Sequence, residues 1–428
     1  MYALLKAGKI DKLAIVGVSR SEVYIEKIMS EVSIPTKDEK IWQQLQRAMY
    51  YFPFDFTQTE GYERLKNFLS TIEKRHGLSG NRMFYLATLP QHFVTITENV
   101  AQSKLATETG QNWRRLVYEK PFGWDLVSAK NINRAITKHF SEKQIYRIDH
   151  YLGKELVSTI PLVRFTNRIL EPLWNKEHLD SVQIILHEEV GVEGRGKYYD
   201  SYGALKDMVQ SHMLQLVGLV GMEVPKKLVG DDIREAKLTV LRNIKVKEVL
   251  FGQYAGYGTE LGVKANSTTD TFVALHLEIN TPRWRGVPFY LKTGKYLGKK
   301  ESSIHLKFKM VECLLTKNCP ADSNYLTLHI EPQPGLFLEM NSKASKELAQ
   351  VEAVKMEFYP HHLSEAYETM LGEIVAGNQS IFVRHDEIEA AWNIVDGLKG
   401  EVYTYTIGSK GPAELKTWSK KHKLQWRA

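Results

Sequence analysis

The chain has 428 residues, of which 43% are hydrophobic, 11% aromatic and 25% charged, and its net charge is +7. These proportions exclude a disordered or low-complexity chain, and the length favours two or three domains over a single core. The basic balance favours anionic ligands, but lysines and arginines are interleaved with acids rather than gathered in runs, so we predict no nucleic-acid partner.

The first twelve residues, MYALLKAGKIDK, reach a lysine and an aspartate too soon to form the apolar core of a signal peptide. The longest apolar stretch, Met213 to Val224, has about half the length that a bilayer crossing needs. We therefore predict a cytoplasmic protein with no membrane partner. The two cysteines, Cys313 and Cys319, lack a partner pair and a histidine cluster, so we predict reduced thiols and no metal site.

From residue 13 to about 150, short apolar runs alternate with helical patterns. This rhythm is typical of βαβ units and predicts a parallel sheet, hence a Rossmann-like dinucleotide-binding domain over residues 1–150. The predicted strands are LAIVGV (13–18), RMFYLA (82–87), RLVYEK (115–120) and QIYRID (144–149), and only helices are predicted between the first two.

After residue 150 the pattern changes, with a helix predicted at 153–165 and a long helix near 199–219. Runs that alternate apolar and polar residues follow, and they predict strands with one solvated face. The fold class is therefore α/β plus α+β, with a second, larger domain at 151–428 built on a mainly antiparallel sheet flanked by helices. These strand-like runs are TFVALHLEI, VPFYLKT, SIHLKFKM, YLTLHI and LFLEMN, and helices return at Ser364–Ala376 and Asp386–Leu398.

A dinucleotide fold usually opens with a strand and a glycine-rich turn that holds the pyrophosphate. Here LAIVGV is followed by Ser19, Arg20 and Ser21, so it behaves like a second strand. An acid at the end of that strand suits NAD, whereas an arginine suits the 2′-phosphate of NADP. Arg20 is therefore a candidate NADP contact, with an exposed strand-end arginine as the alternative.

Two polar clusters carry the candidate chemistry. RIDHYLGKE (147–155) places His150 and Lys154 at the end of a predicted buried strand, where open α/β sheets bind ligands. DMVQSH places Asp207 and His212 five residues apart on the long helix, and therefore on different faces. A lone histidine on an apolar helix is more often a core residue than a catalyst, and that alternative stays open for His212.

These segments resemble the glucose-6-phosphate dehydrogenase family. RIDHYLGKE looks like the family signature, and the resemblance covers nearly the whole chain in the family's order. It implies oxidation of D-glucose 6-phosphate to 6-phospho-D-glucono-1,5-lactone with hydride transfer to NADP, the first step of the oxidative pentose phosphate pathway. The other matching segments are IVGVSRS, FYLATLP, EKPFG, HEEVGVEGRGKYYD, GALKDMVQSHMLQ, GVPFYLKTGK and SEAYETML.

The resemblance also implies roles for single residues. His212 would be the general base, with Asp149 as its acidic partner, and His150, Tyr151 and Lys154 would bind the sugar phosphate. Glu188 and Asp207 would accept hydrogen bonds from sugar hydroxyls, while Lys295 and Lys300 would close the other side, with surface lysines as the alternative. Lys120, before a proline that is often cis in the family, would lie between cofactor and substrate, and Tyr85 would face the cofactor unless it is a buried strand residue.

One departure from the family stands out. Its N-terminal strand and glycine-rich G-x-x-G-D-L-A turn are not found in this sequence, and MYALLKAG resembles the rest of the following helix. We therefore expect an incomplete Rossmann-like domain and an N-terminally truncated family member. The resemblance suggests a homodimer formed through the large sheet, or a dimer of dimers. The alternative is a non-catalytic remnant that binds sugar phosphate or a protein partner.

Overall fold

A computed structural model of the chain describes residues 1–22, 24–32, 34, 37–311, 321–343, 351–360 and 363–427. Cys313 and Cys319 lie outside these residues. No helix in the described ranges is long and apolar enough to cross a membrane. The chain forms two compact units: an N-terminal unit of Met1–Gly123, Val127–Ile148 and Tyr367–Arg384, and a large unit of Trp124–Leu126, Asp149–Ala366 and His385–Ala428.

The strands and helices are numbered in chain order. The strands are β1 Ile15–Ser19, β2 Met49–Pro53, β3 Arg82–Leu86, β4 Arg114–Tyr118, β5 Ile145–Arg147, β6 Leu179–His187, β7 Ile244–Tyr254, β8 Phe272–Ile279, β9 Pro288–Gly294, β10 Glu301–Phe308, β11 Tyr325–Glu331, β12 Gly335–Lys343, β13 Val351–Phe358 and β14 Val402–Tyr405. The helices are α1 Tyr2–Lys6, α2 Ile25–Glu31, α3 Glu39–Arg47, α4 Glu60–His76, α5 Phe93–Gln102, α6 Leu126–Thr137, α7 Glu155–Ser158, α8 Ile160–Thr166, α9 Gly196–Tyr199, α10 Leu214–Gly221, α11 Gly230–Arg242, α12 Ala366–Ala376, α13 His385–Val395 and α14 Glu414–Lys421, and a π-helix, Leu205–Met213, runs directly into α10.

The N-terminal unit contains parallel strands, as the βαβ rhythm predicts. β1 pairs with β2, and β4 pairs with both β3 and β5, always in parallel. Val18 of β1 and Leu86 of β3 pack in one hydrophobic cluster, yet no hydrogen bonds between β1 and β3 join the two sheets among the described residues. The orders β2-β1 and β3-β4-β5 match strands 3-2 and 4-5-6 of a doubly wound sheet.

The prediction of only helices between the first two strand runs was wrong, because β2 lies there. Its sequence, MYYFP, is short, apolar throughout and separated from α3 only by Ala48, so it lacks both the alternation and the turn that announce a strand. The segment Tyr367–Arg384 also groups with this unit, since Gln379 donates hydrogen bonds of 2.8 Å to the carbonyls of Glu142 and Ile145. A domain boundary at residue 150 stays a prediction.

The large unit is built on a nine-stranded sheet of order β13-β12-β11-β10-β6-β9-β8-β7-β14. Only the β6–β9 and β7–β14 pairs are parallel, so the prediction of a mainly antiparallel sheet is confirmed. One face carries fully buried apolar residues such as Ile184, Leu291 and Ile304. Four neighbouring strands in the middle of the sheet end or begin at the same side. The carboxyl ends of β6, β9 and β11 lie there beside the start of β10, because Glu301 is paired with His187 of β6 and, one residue on, Ser302 is paired with Glu331 of β11.

The two helices predicted at the start of the large domain differ from the prediction. The first is divided into α7 and α8 at Thr159, with Pro161 in the first turn of α8. The second is α9, a turn and then the π-helix, because Gly203 adopts a φ of 68° that an α-helix excludes. A Cβ atom there would lie 2.6 Å from the Asp270 carboxylate, so the turn requires glycine.

Candidate active site

A buried histidine–aspartate pair lies in the large unit. The Nδ1 atom of His212 is 2.5 Å from Oδ1 of Asp149, and the two side chains are 0% and 3% exposed. Asp149 follows β5 closely, and its Oδ1 also accepts a hydrogen bond of 3.0 Å from the backbone N–H of Tyr151. Because a carboxylate only accepts, Nδ1 is the protonated nitrogen of His212, and Nε2 carries the basic lone pair.

The π-helix changes how His212 and Asp207 relate to each other. The prediction that they lie on different faces was wrong, because the residues 205–213 form i→i+5 hydrogen bonds and residues five apart are then about one turn apart. Asp207 lies near a tyrosine cluster, where burial first and the Asp207 charge second hold the pKa of Tyr199 well above its usual value. A carboxylate and an imidazole therefore project from one side of this helix.

Two neighbours of Asp149 pack against the His212 ring. The ring centroids of His150 and Tyr151 lie 4.7 and 4.6 Å from that of His212. Tyr151 is buried, its hydroxyl lies 3.4 Å from Oγ of Ser302, and burial raises its pKa. The aromatic rings hold the imidazole in place, and the protonated Tyr151 hydroxyl can donate a hydrogen bond.

The same residues also meet the geometric requirement for a metal site. One ligand atom each of Asp149, His150 and His212 lies within 4.8 Å of the others. The Nδ1 atom of His212 and Oδ1 of Asp149 already share a hydrogen bond, however, so the two groups form a proton-accepting pair as they stand. Chelation is the experiment that separates the two arrangements.

Lys154, Glu331 and Lys300 form a charged group at the sheet edge. Lys154 precedes α7, its Nζ atom pairs with the Glu331 carboxylate, and it lies 4.4 Å from the centroid of the Tyr151 ring. Lys300, which precedes β10, places its Nζ 3.6 Å from Oε2 of Glu331. Burial lowers the pKa of Lys154, although the charge of Glu331 acts to raise it. Burial acts to raise the pKa of Glu331, but the two lysines together outweigh it, so the pKa of Glu331 lies below its usual value.

Glu188 and Lys295 form a second ion pair at this edge. They follow β6 and β9 directly, where His187 and Gly294 are register partners, and Nζ of Lys295 lies 2.9 Å from Oε2 of Glu188. The Lys295 side chain is 3% exposed and lies 5.0 Å from the Tyr199 ring centroid. Lys295 is thus no surface lysine, whereas Lys300 is 54% exposed.

In the N-terminal unit, three candidate residues lie at or just after the carboxyl ends of parallel strands. Arg20 is exposed after β1, and its charge, acting after hydrogen bonds from Thr57, helps lower the pKa of Asp55. Tyr85 in β3 is 38% exposed and donates to Glu119, so it is not a buried strand tyrosine. Lys120 follows β4, and its bond to Pro121 is cis.

Two site residues were missed in the sequence. Glu331 ends a strand in HIEPQPG, a stretch with no motif of its own, and Ser302 stands beside a lysine-rich turn. Only the pairing of β10 with β11, in which Ser302 faces Glu331, places them beside the RIDHYLGKE segment.

Comparisons with known proteins cover the whole described chain. The family model of the glucose-6-phosphate dehydrogenase NAD binding domain matches residues 1–159, and that of the C-terminal domain matches residues 161–427. The glucose-6-phosphate 1-dehydrogenases of Chlamydia pneumoniae and Bacillus subtilis are 36% and 37% identical, across 100% of this chain and 92% and 94% of theirs. A solved glucose-6-phosphate dehydrogenase in complex with glucose 6-phosphate superposes with a TM-score of 0.90 at 29% identity, covering 100% of this chain and 94% of that one.

Proposed function

The chain belongs to the glucose-6-phosphate dehydrogenase family, and on that premise we propose that it oxidises D-glucose 6-phosphate to 6-phospho-D-glucono-1,5-lactone. The observation that carries the proposal is the buried hydrogen bond of 2.5 Å between His212 and Asp149, beside a lysine that can bind a phosphate. An oriented imidazole and a cationic anchor are what this substrate requires.

His212 is the general base. Its Nε2 atom takes the proton of the C1 hydroxyl, the C1–H bond breaks with its electron pair leaving as hydride, and the C1 oxygen becomes the lactone carbonyl. Asp149 stabilises the imidazolium that forms and keeps the ring in the tautomer with Nδ1 protonated. The nicotinamide cofactor supplies the hydride acceptor.

The phosphate end of the substrate is bound by His150, Tyr151 and Lys154. The ammonium and the Tyr151 hydroxyl donate charge-assisted hydrogen bonds to the dianion, and Lys300 closes the site from the position before β10. Lys154 is only partly exposed, so solvent screens its attraction less than that of a surface lysine.

The sugar hydroxyls are oriented by Glu188 and Asp207. The ion pair with Lys295 fixes the Glu188 carboxylate at the end of β6, so this acceptor needs no rearrangement when the sugar arrives. The π-helix sets Asp207 and His212 on one side, which lets one element supply both the base and a hydroxyl acceptor.

NADP is the proposed cofactor. Arg20 is exposed at the carboxyl end of β1, the position from which an arginine reaches the 2′-phosphate of a dinucleotide. Tyr85 lies near the carboxyl end of β3 and Lys120 follows β4, at the ends where open α/β sheets bind nucleotides, so the residues present fit this group. Tyr85 would face the cofactor, and Lys120 would contact both cofactor and substrate.

We further propose a homodimer, or a dimer of dimers, formed through the nine-stranded sheet. The division into a dinucleotide-binding domain at 1–150 and a catalytic and dimerisation domain at 151–428 is part of the same proposal. A second candidate is a non-catalytic protein that binds sugar phosphate or a protein partner, and it predicts binding of glucose 6-phosphate without turnover.

The test is NADPH formation from glucose 6-phosphate and NADP by the 428-residue chain, with His212→Asn and the exposed His178→Asn as paired variants. Activity that is lost only in His212→Asn and persists in a chelator supports the dehydrogenase with a proton-accepting pair. Loss of wild-type activity in the chelator would instead assign the cluster to a metal. Binding of glucose 6-phosphate with no turnover would favour the non-catalytic protein.

A further inference from the structure

Glu331 occupies an unusual place between two lysines. One carboxylate oxygen pairs with Nζ of Lys154, and the other lies 3.6 Å from Nζ of Lys300. The carboxylate is 28% exposed, while the Lys154 and Lys300 side chains are 15% and 54% exposed. Glu331 thus bridges the two cations with two oxygens, the arrangement that a bound phosphate would adopt.

The charges show what this bridge does to an incoming anion. Two ammonium groups and one carboxylate carry a net charge of +1, whereas the same lysines with a phosphate dianion and Glu331 would carry −1. Like charges within about 4–6 Å disfavour each other, so the dianion and the Glu331 carboxylate cannot share the lysines without loss of attraction. A bound dianion would therefore compete with Glu331 for Lys154 and Lys300.

We propose that Glu331 is a specificity-determining residue that acts as an internal competitor for the phosphate site, a role that rests on the proposed function. A neutral sugar offers nothing in exchange for the Glu331 ion pairs. A monoanion exchanges one negative charge for another, whereas a phosphate dianion brings an additional charge to the two lysines. Glu331 thereby reserves the site for a dianionic ester.

The bridge also acts on the charge of Lys154 itself. Burial lowers the pKa of Lys154, and the Glu331 carboxylate acts in the opposite direction, which favours the charged ammonium. Tyr151, whose ring lies beneath Lys154, limits where the released ammonium can go. Glu331 therefore lowers the affinity of the site for anions and at the same time favours the charged form of Lys154.

The test replaces Glu331→Gln, which keeps the size of the side chain and removes its charge. Inorganic phosphate is the probe, titrated by calorimetry at constant ionic strength, and KM for glucose 6-phosphate is measured in parallel. Removing one like charge about 4 Å from a dianion in a water-like medium is expected to lower the dissociation constant of phosphate and the KM roughly thirtyfold, with kcat little changed. The matched control is Glu278→Gln, which removes an exposed ion pair with Lys247 in the same sheet and should leave both constants unchanged.

Two outcomes would overturn the inference. An unchanged or raised dissociation constant in a folded Glu331→Gln protein would mean that Glu331 orients Lys154 instead of competing with the anion. A gain in affinity that persists when Lys154→Met is added would place the probe at another site. Failure of the proposed function would look different. The wild-type chain would then show no turnover, while Glu331→Gln would still raise the affinity for phosphate and Lys154→Met would abolish that gain. In that case the inference about Glu331 would stand and the dehydrogenase activity would not.

Discussion

The imidazole of His212 and the carboxylate of Asp149 share a hydrogen bond of 2.5 Å across 63 positions of sequence. The aspartate comes from the segment after β5 and the histidine from the π-helix, and both side chains are almost fully buried. A buried ion-forming pair is costly unless each member satisfies the other, so this pair is an observation in favour of the proposed catalytic role.

Substitution of the base should separate binding from chemistry. We expect His212→Asn to lower kcat by roughly 10²- to 10⁴-fold, since a positioned base contributes that much, while KM for glucose 6-phosphate changes little. Steady-state kinetics measure both. Wild-type kcat in this variant would contradict the assignment of His212.

The partner of the base should matter through the base. Asp149→Asn keeps an oxygen that can accept from the Tyr151 N–H, but it removes the charge that stabilises the imidazolium, so kcat should fall roughly 10²-fold or more. The exposed Asp180→Asn, which loses an ion pair with Lys307, serves as the control. If both variants keep full turnover, Asp149 is only a structural residue.

Loss of the phosphate anchor should appear mainly in KM. Lys154→Met removes a charge-assisted hydrogen bond, worth about 1.5–3 kcal/mol, so KM for glucose 6-phosphate should rise roughly 10- to 100-fold. The solvent-exposed Lys176→Met provides the comparison in the same unit. A lower kcat with an unchanged KM would place Lys154 outside the phosphate site.

Cofactor selectivity should depend on Arg20. Arg20→Leu is expected to raise KM for NADP about tenfold and to leave KM for NAD unchanged, because only NADP carries the 2′-phosphate. Arg64→Leu, on the exposed side of α4, controls for loss of a surface charge. Equal effects on the two cofactors would show that Arg20 does not read the 2′-phosphate.

A buried lysine should give stability an unusual dependence on pH. Lys292 is 1% exposed, and burial lowers its pKa to about 7 from 10.5, so the unfolded chain binds more protons between these values. Protonation of this buried group therefore lowers the free energy of unfolding: the loss is absent above pH 10.5, grows as the pH drops towards 7 and is complete below it.

Lys292→Met should remove this slope and raise the free energy of unfolding at neutral pH by at least about 1 kcal/mol. Urea unfolding of wild type and variant across the alkaline range measures the difference, with Lys307→Met as the more exposed control in the same sheet. Parallel curves for wild type and Lys292→Met would show that Lys292 is protonated in the folded protein.

Much of the fold follows from local patterns. Alternating strands and helices predict the parallel strands of the N-terminal unit, and period-two runs predict the antiparallel strands of the large sheet, because each pattern reflects which face of an element is buried. Strand β2 was not predicted from the sequence, because a short continuous apolar run has no periodicity of polar and apolar residues. The π-helix was not predicted either, because the sequence around His212 contains no pattern that distinguishes its wider turn from an α-helix.

The sequence by itself determined the family, the anchor segment from Asp149 to Lys154 and the candidate base, since these rest on residues that are neighbours in the chain. Only the tertiary structure decided that His212 meets Asp149, that Lys295 is buried against Glu188 and that Glu331 lies between Lys154 and Lys300. These contacts join residues far apart in sequence, and they depend on the register of β6, β9, β10 and β11, which a linear pattern of polar and apolar residues does not specify.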